Sequence, residues 1–194
     1  MTADRRWRGA EIKAKLEHNI RQALVRSAII AQQEIKRQLN KNSSPSAAGS
    51  PPGKDTGELG RSIQIDISKL NDRRFPEVRV GPDLIRVPYA RVQEFGSDGP
   101  ITPKTTKYLP VPLNKAAKNM RRGLKSIRSL NLTLFVRGKK LFLGKGKGKT
   151  ARFLFVLVKS VTLKARPYIK PALKIARPKI AKEFSKDKLM RGIR

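Results

Sequence analysis

Residues 144–150 read Gly-Lys-Gly-Lys-Gly-Lys-Thr and end in the Gly-Lys-Thr of a phosphate-binding loop. That loop needs glycine, four residues, then Gly-Lys-Ser/Thr, so that successive backbone amides wrap the phosphates. The position that would have to be glycine is Leu143, and no acid follows until Glu183 to hold a magnesium ion. The expected element is a mobile cationic loop. Asp55-Thr56-Gly57 is the tripeptide of aspartic proteases, whose chemistry needs two aspartates sharing a proton, each on a loop after an apolar strand. Here it follows Ser-Pro-Pro-Gly-Lys and has no second copy, so a turn and cap is expected. His18 is the only histidine, and there is no cysteine, which removes disulfides, thiolate metal sites and a cysteine nucleophile. Glu94 is the one acid in an apolar setting, inside Val-Pro-Tyr-Ala-Arg-Val-Gln-Glu-Phe-Gly at residues 87–96. It is either an enzyme's acid on an apolar face or a structural acid, pairing with a neighbouring arginine or capping backbone amides. The structural reading is preferred, and Glu94→Gln is expected to be tolerated. No catalytic, cofactor-binding or metal-ligating residue is assigned.

The elements that must position these residues follow from periodicity. Over residues 8–40, Ile12, Leu16, Ile20, Leu24, Ala28, Ala31, Ile35 and Leu39 recur at spacings of three and four, which predicts one long amphipathic helix with His18 off its stripe. Residues 41–54, rich in Ser, Pro and Gly, predict a flexible loop. Asp55 and Glu58 have capping-box spacing for a short helical turn. Ile63, Ile65 and Ile67 alternate with polar residues as in a half-buried strand, and a second strand is expected over 77–80. Tyr89, Val92 and Phe95 predict one or two helical turns ending at Gly96. Pro110 and Pro112 confine 107–113 to a sheet edge. Asn114 is placed to cap a basic helix over 115–128. Arg137-Gly138 predicts a hairpin turn, and Phe153–Val158 is the longest strand candidate. Ile169, Leu173, Ala176, Ile180 and Phe184 predict a C-terminal helix that Pro178 kinks or divides.

The expected fold class is therefore α+β: a long N-terminal helix and a C-terminal helix packed on a mainly antiparallel sheet, with a basic insertion. The 194 residues suit one domain over 1–194, with 41–54 as the loop and 114–150 as a basic helix and hairpin insertion. Tyr89, Phe95, Ile169 and Leu173 are expected to share a core with Ile63 and Ile65, so that Phe95→Ala would be costly. No apolar run is long enough to span a bilayer, and the N-terminal residues have no signal-peptide pattern. Cytoplasmic assembly is the expectation.

Charge points to partners. The chain has 45 Lys and Arg against 14 acids, a formal net charge of +31. Residues 99–182 hold 23 of those cations and no acid. Such a field attracts polyanions and makes copies repel one another. Lys139, Lys140, Lys145, Lys147, Lys149 and Arg152 are the candidate contacts, placed at and beside a glycine-spaced tip. They meet either the phosphates of double-stranded DNA, without base readout, or acidic patches on a neighbouring protein. The loop 41–54 and a sheet edge near Phe153–Val158 are the candidate contacts between copies.

Four segments, in order, resemble the tail-component family of long-tailed phages, the group of tail-completion and neck proteins related to phage virion morphogenesis proteins. They are Asp55, Thr56, Gly57, Leu59, Ser62 and Ile63; Val80 and Gly81; Tyr89, Ala90, Glu94, Phe95 and Gly96; and Ala165, Arg166, Pro167, Tyr168, Pro171, Ala172 and Leu173. The resemblance covers about 10–100 and 150–185. It implies a non-enzymatic structural virion protein, a ring subunit, most often hexameric, that joins the tail tube to the head connector around the DNA path. It implies assembly in the host cytoplasm, residence in the virion, and no membrane partner. It makes Asp55, Gly57, Tyr89, Glu94, Phe95, Gly96, Arg166 and Pro167 framework residues, with Glu94 and Arg166 as polar anchors. The alternative is a stand-alone basic nucleic-acid-binding or packaging protein.

Overall fold

The structure, a computed structural model, describes residues 8–42, 46–72, 74–121 and 127–193. In chain order the elements are α1 (Gly9–Lys41), α2 (Glu58–Arg61), β1 (Ile63–Asp66), β2 (Arg79–Pro82), α3 (Ala90–Phe95), β3 (Leu109–Pro112), α4 (Lys115–Arg121), β4 (Thr133–Arg137), β5 (Lys140–Lys145), β6 (Arg152–Val158), α5 (Ile169–Glu183) and α6 (Lys186–Leu189). The fold is α+β, as expected. It divides into two compact units, Met1–Gly96 with Lys164–Arg194, and Ser97–Leu163. The second unit takes in the predicted 114–150 insertion and extends beyond it on both sides.

In the first unit α1 packs along α5 and against the antiparallel pair β1–β2. Ile35, Leu39, Ile63, Tyr168 and Ala172 form the buried cluster, with Leu59, Val80 and Ile169 packed against it. The helices meet through small side chains: Ala23, Ser27, Ala28 and Ala31 of α1, and Ala172 and Ala176 of α5, are all buried. Small residues let two helices approach closely, and this displaces the larger apolar residues to the flanks. The expected core is corrected on that point. Tyr89, Leu173 and Phe95 are exposed, Phe95 by 74%, and Ile12 at the head of the predicted α1 stripe is exposed too. On α3 the inward positions are Ala90 and Glu94, one helical turn apart. Phe95, the next residue on, is rotated about 100° away from them. Pro178 lies inside α5 without dividing it.

Polar clasps complete the pairing of α1 with the C-terminal segment. Arg26 Nε donates to Glu183 Oε2 at 2.7 Å, and Asn19 Nδ2 donates to the carbonyl of Leu189 at 2.7 Å. The loop predicted as flexible is tied down along its described part. Gly49 N donates to the Ala165 carbonyl, Lys54 N to that of Asn42, and Asn42 Nδ2 to that of Pro51. Residues 43–45 of that loop lie outside the described residues.

The second unit is a four-stranded antiparallel sheet in the order β3-β6-β5-β4. Its edges are β3, where Pro110 and Pro112 sit as expected, and β4. β6 is central and paired on both sides, so the edge expected near Phe153–Val158 does not exist. Asn114 Oδ1 accepts from Ala117 N at 2.8 Å and caps α4 as predicted. α4 ends at Arg121, residues 122–126 lie outside the described residues, and Ile127–Leu130 is a short 3-10 turn. One sheet face buries Ala117, Leu154 and Phe155 with Met120, Ile127, Leu130, Leu132 and Leu143. Adjacent Leu154 and Phe155 share that cluster because the register slips between the pairs Leu143–Phe155 and Gly144–Phe153. Leu154 is the extra residue of this bulge. Phe153 packs against Phe142 and Phe135, with ring centroids 4.9 and 5.5 Å apart.

Candidate functional site

Glu94 answers to the helix that follows it by some 75 residues. Its Oε2 accepts from the backbone amides of Tyr168 at 2.7 Å and Ile169 at 2.9 Å, and its Oε1 from that of Lys170 at 3.1 Å. A helix leaves its N-cap amide and its next three amides without intrahelical acceptors, with the positive end of the dipole beside them. Here those positions are Tyr168, Ile169, Lys170 and Pro171. One carboxylate takes the first three, and proline has no amide to leave unpaired. The start of α5 is therefore fully satisfied, and both Glu94 oxygens accept from backbone amides. Of the alternatives open in the sequence, amide capping is the one adopted, with no arginine partner among the described residues.

The other framework residues support this clamp. Arg166 N donates to the Gln93 carbonyl at 2.7 Å, and its Nε reaches the Ser46 carbonyl at 3.2 Å, which joins α3, the 46–54 loop and the approach to α5. Gly96 is buried at φ 84° and ψ −175°, backbone open essentially to glycine alone, and its amide closes α3 on Val92. The turn at Asp55–Gly57 approaches the same segment. Partial burial raises the Tyr89 phenol above its ordinary value, and the charges of Glu58 and Asp55 add to that. α2 starts later than the predicted capping box, which would make Asp55 the N-cap. Gly57, at φ 76°, is the N-cap of α2 without a side-chain cap, and Glu58 is instead held by Arg61 at 2.9 Å and Arg86 at 3.2 Å. Pro167 is half-buried beside Tyr168. Tyr168 itself, missed as a core residue, is fully buried, and its hydroxyl has no hydrogen-bond partner among the described residues. Burial, followed by the charge of Glu94, pushes that phenol far above its ordinary value.

The six candidate cations separate. Lys139 and Lys140 lie at the β4–β5 turn, where Arg137 pairs with Lys140. Lys145 and Arg152 face each other across β5 and β6 at the opposite end, next to Lys147. Lys140 and Lys145 are five steps apart along a strand, about 17 Å. The single cluster expected from sequence is thus two. Register adds residues that spacing along the chain could not show. Arg137, Lys159 and Lys107 end neighbouring strands on the Lys139 side, all exposed. The Lys149 side chain lies outside the described residues.

The glycines of 144–150 serve the backbone. A Cβ on Gly144 would stand 2.3 Å from the Arg152 carbonyl oxygen, and one on Gly146, at φ 95°, 2.8 Å from that of Thr150. The expected mobile loop is a tight link between β5 and β6, closed by Thr150 Oγ1 on the Lys147 carbonyl at 2.8 Å. Its glycine spacing has a structural cause that needs no phosphate. Among the described residues no group of three or more His, Cys, Asp or Glu is placed to hold a metal, and no helix is long and apolar enough to cross a membrane. No family model, curated protein or solved structure matches this chain.

Proposed function

We propose that the chain is a structural virion protein of a long-tailed phage, a tail-completion or neck ring subunit that joins the tail tube to the head connector around the DNA path. The observation that carries this reading is the Glu94 clamp. The tail-component resemblance rests on short segments, each weak alone. Two of them, Tyr89–Gly96 and Ala165–Leu173, lock together through Glu94 and Arg166. The Asp55–Ile63 segment contributes Ile63 to the same core. Residues that form one framework are a coherent signature of a fold, and none of them is left over for catalysis. The protein acts by surface, with no chemical step.

Its second unit supplies the cations, with 16 Lys and Arg against the single acid Asp98. These meet duplex phosphates in the lumen or acidic faces of tail and connector proteins. Six copies at +31 each repel strongly, so isolated subunits stay apart at low salt and close into rings when salt or a partner screens them. Light scattering of purified protein across a salt series, with negative-stain images at each point, tests this. Closed rings at high salt support the reading. Monomers under all conditions, decorating added DNA as independent beads, favour a stand-alone nucleic-acid-binding protein.

A further inference from the structure

Beside α5, within the first unit, runs an open groove of about 860 Å³ whose lining is mostly apolar. Pro51, Pro167, Pro171, Leu173 and Ile180 supply that lining. Lys170, Lys174 and Arg177 stand along it as well, at spacings of four and three residues. On a helical wheel these cations fall within about 60° of one another, and Leu173 and Ile180 form the adjoining stripe toward α1. All three cations are exposed, and none is paired with an acid among the described residues. No acid lines the groove among the described residues. The positive end of α5 is already taken by Glu94, so attraction for an anion here comes from side chains.

We propose that this groove docks an extended segment of a partner protein in which acidic and apolar residues alternate. Lys170 and Lys174 are about 6 Å apart along the helix, and residues two apart in an extended chain are about 6.6 Å apart. Alternate carboxylates of such a segment therefore meet successive cations, while the residues between them turn onto Leu173, Ile180 and the prolines. A nucleic acid fits the site poorly. The cations of the lining all come from α5, and among the described residues no aromatic side chain lines the groove to stack a base. A second copy of this chain offers no such segment, since no two of its acids stand two positions apart. The inference stands apart from the ring reading, because it needs only the first unit's surface.

The test uses the full chain and a labelled peptide, Gly-Glu-Leu-Glu-Leu-Glu-Gly, with binding read by fluorescence anisotropy at 0.15 M salt. The triple variant Lys170→Gln, Lys174→Gln, Arg177→Gln should lose roughly tenfold in affinity, the scale of three exposed ion pairs acting together. Removing the same charge elsewhere, with Lys104→Gln, Lys115→Gln and Lys186→Gln, should change it less than twofold. Leu173→Ser, at a position already 43% exposed and so tolerant of polarity, should weaken the Leu peptide and leave Gly-Glu-Ser-Glu-Ser-Glu-Gly unaffected. Equal losses in the two triple variants would reduce the effect to bulk charge and overturn the proposal. Equal binding of the Leu and Ser peptides would also overturn it. So would a single-stranded oligonucleotide that displaces the peptide and itself loses affinity in the groove variant, which would make the groove a nucleic-acid site.

Discussion

Replacing Glu94 with Gln keeps the volume and removes one acceptor. The best placement of the new amide leaves its oxygen on Tyr168 and Ile169 and turns its NH2 group against the Lys170 amide, so two donors face each other. Losing a hydrogen bond to a charged group costs about 1.5–3 kcal/mol. Losing the charge at the helix N-terminus costs about 0.3–2 kcal/mol more. Glu94→Gln should therefore destabilise the first unit by about 2–5 kcal/mol, reversing the tolerance expected from sequence. Glu94→Ala, which orphans all three amides, should cost at least as much. Urea unfolding followed by far-UV circular dichroism measures the change, with Glu58→Gln as the control: that exposed carboxylate is held by Arg61 and Arg86 and should stay near wild type. Because the clamp is buried, its loss should persist at high salt. A Glu94→Gln protein as stable as Glu58→Gln would refute the capping argument.

Three further outcomes are expected. Tyr168→Phe removes a buried hydroxyl without a partner and should raise stability by about 1 kcal/mol in the same assay; a loss would show that the hydroxyl is satisfied. The hydrogen bonds from Lys188 and Arg26 hold the Glu183 carboxyl below its ordinary value, so the stability it contributes is present at neutral pH and is lost as pH falls through that depressed folded-state pKa. Glu183→Gln should accordingly flatten the acid limb of a melting-temperature profile below pH ~4.5, and an unchanged limb would deny the link between α1 and α5 that role. If the sheet end at Lys145, Lys147 and Arg152 contacts duplex phosphates, changing all three to Gln should flatten the log–log salt slope of DNA binding by about 2.7, from ~0.9 per contact. Changing Arg137, Lys139 and Lys140 instead tests the opposite end, and an unchanged slope in both variants would leave these cations for protein partners.

The parts of this fold that read directly from sequence are those governed by local rules. The long α1, the Ile63–Ile65 alternation, the β4–β5 hairpin, whose turn falls at Gly138-Lys139, one residue beyond the expected Arg137-Gly138, the proline-bearing edge at β3 and the Asn114 cap each depend on neighbours a few residues away. Packing partners were less legible. Apolar spacing marks a stripe without saying which side of it meets another helix, so it points to Leu173 and Phe95 as core while Ala172, Ala176 and Tyr168 hold it. The role of Glu94 depends on amides some 75 positions downstream. The clue to it was present in Pro171, which removes the one helix-start amide that a single carboxylate could not reach. Likewise the cations of residues 139–152 are consecutive in sequence, but β5 is extended and carries them to opposite ends of the sheet.

Assembly of the phage particle with and without this chain tests the central claim most directly. Particles made without it should appear in negative stain as separate, DNA-filled heads and unjoined tails, and purified protein should restore joining when added back. Normally joined particles in its absence, or full restoration by a protein lacking residues 97–163, would contradict the proposed role of a cationic ring subunit at the head–tail junction.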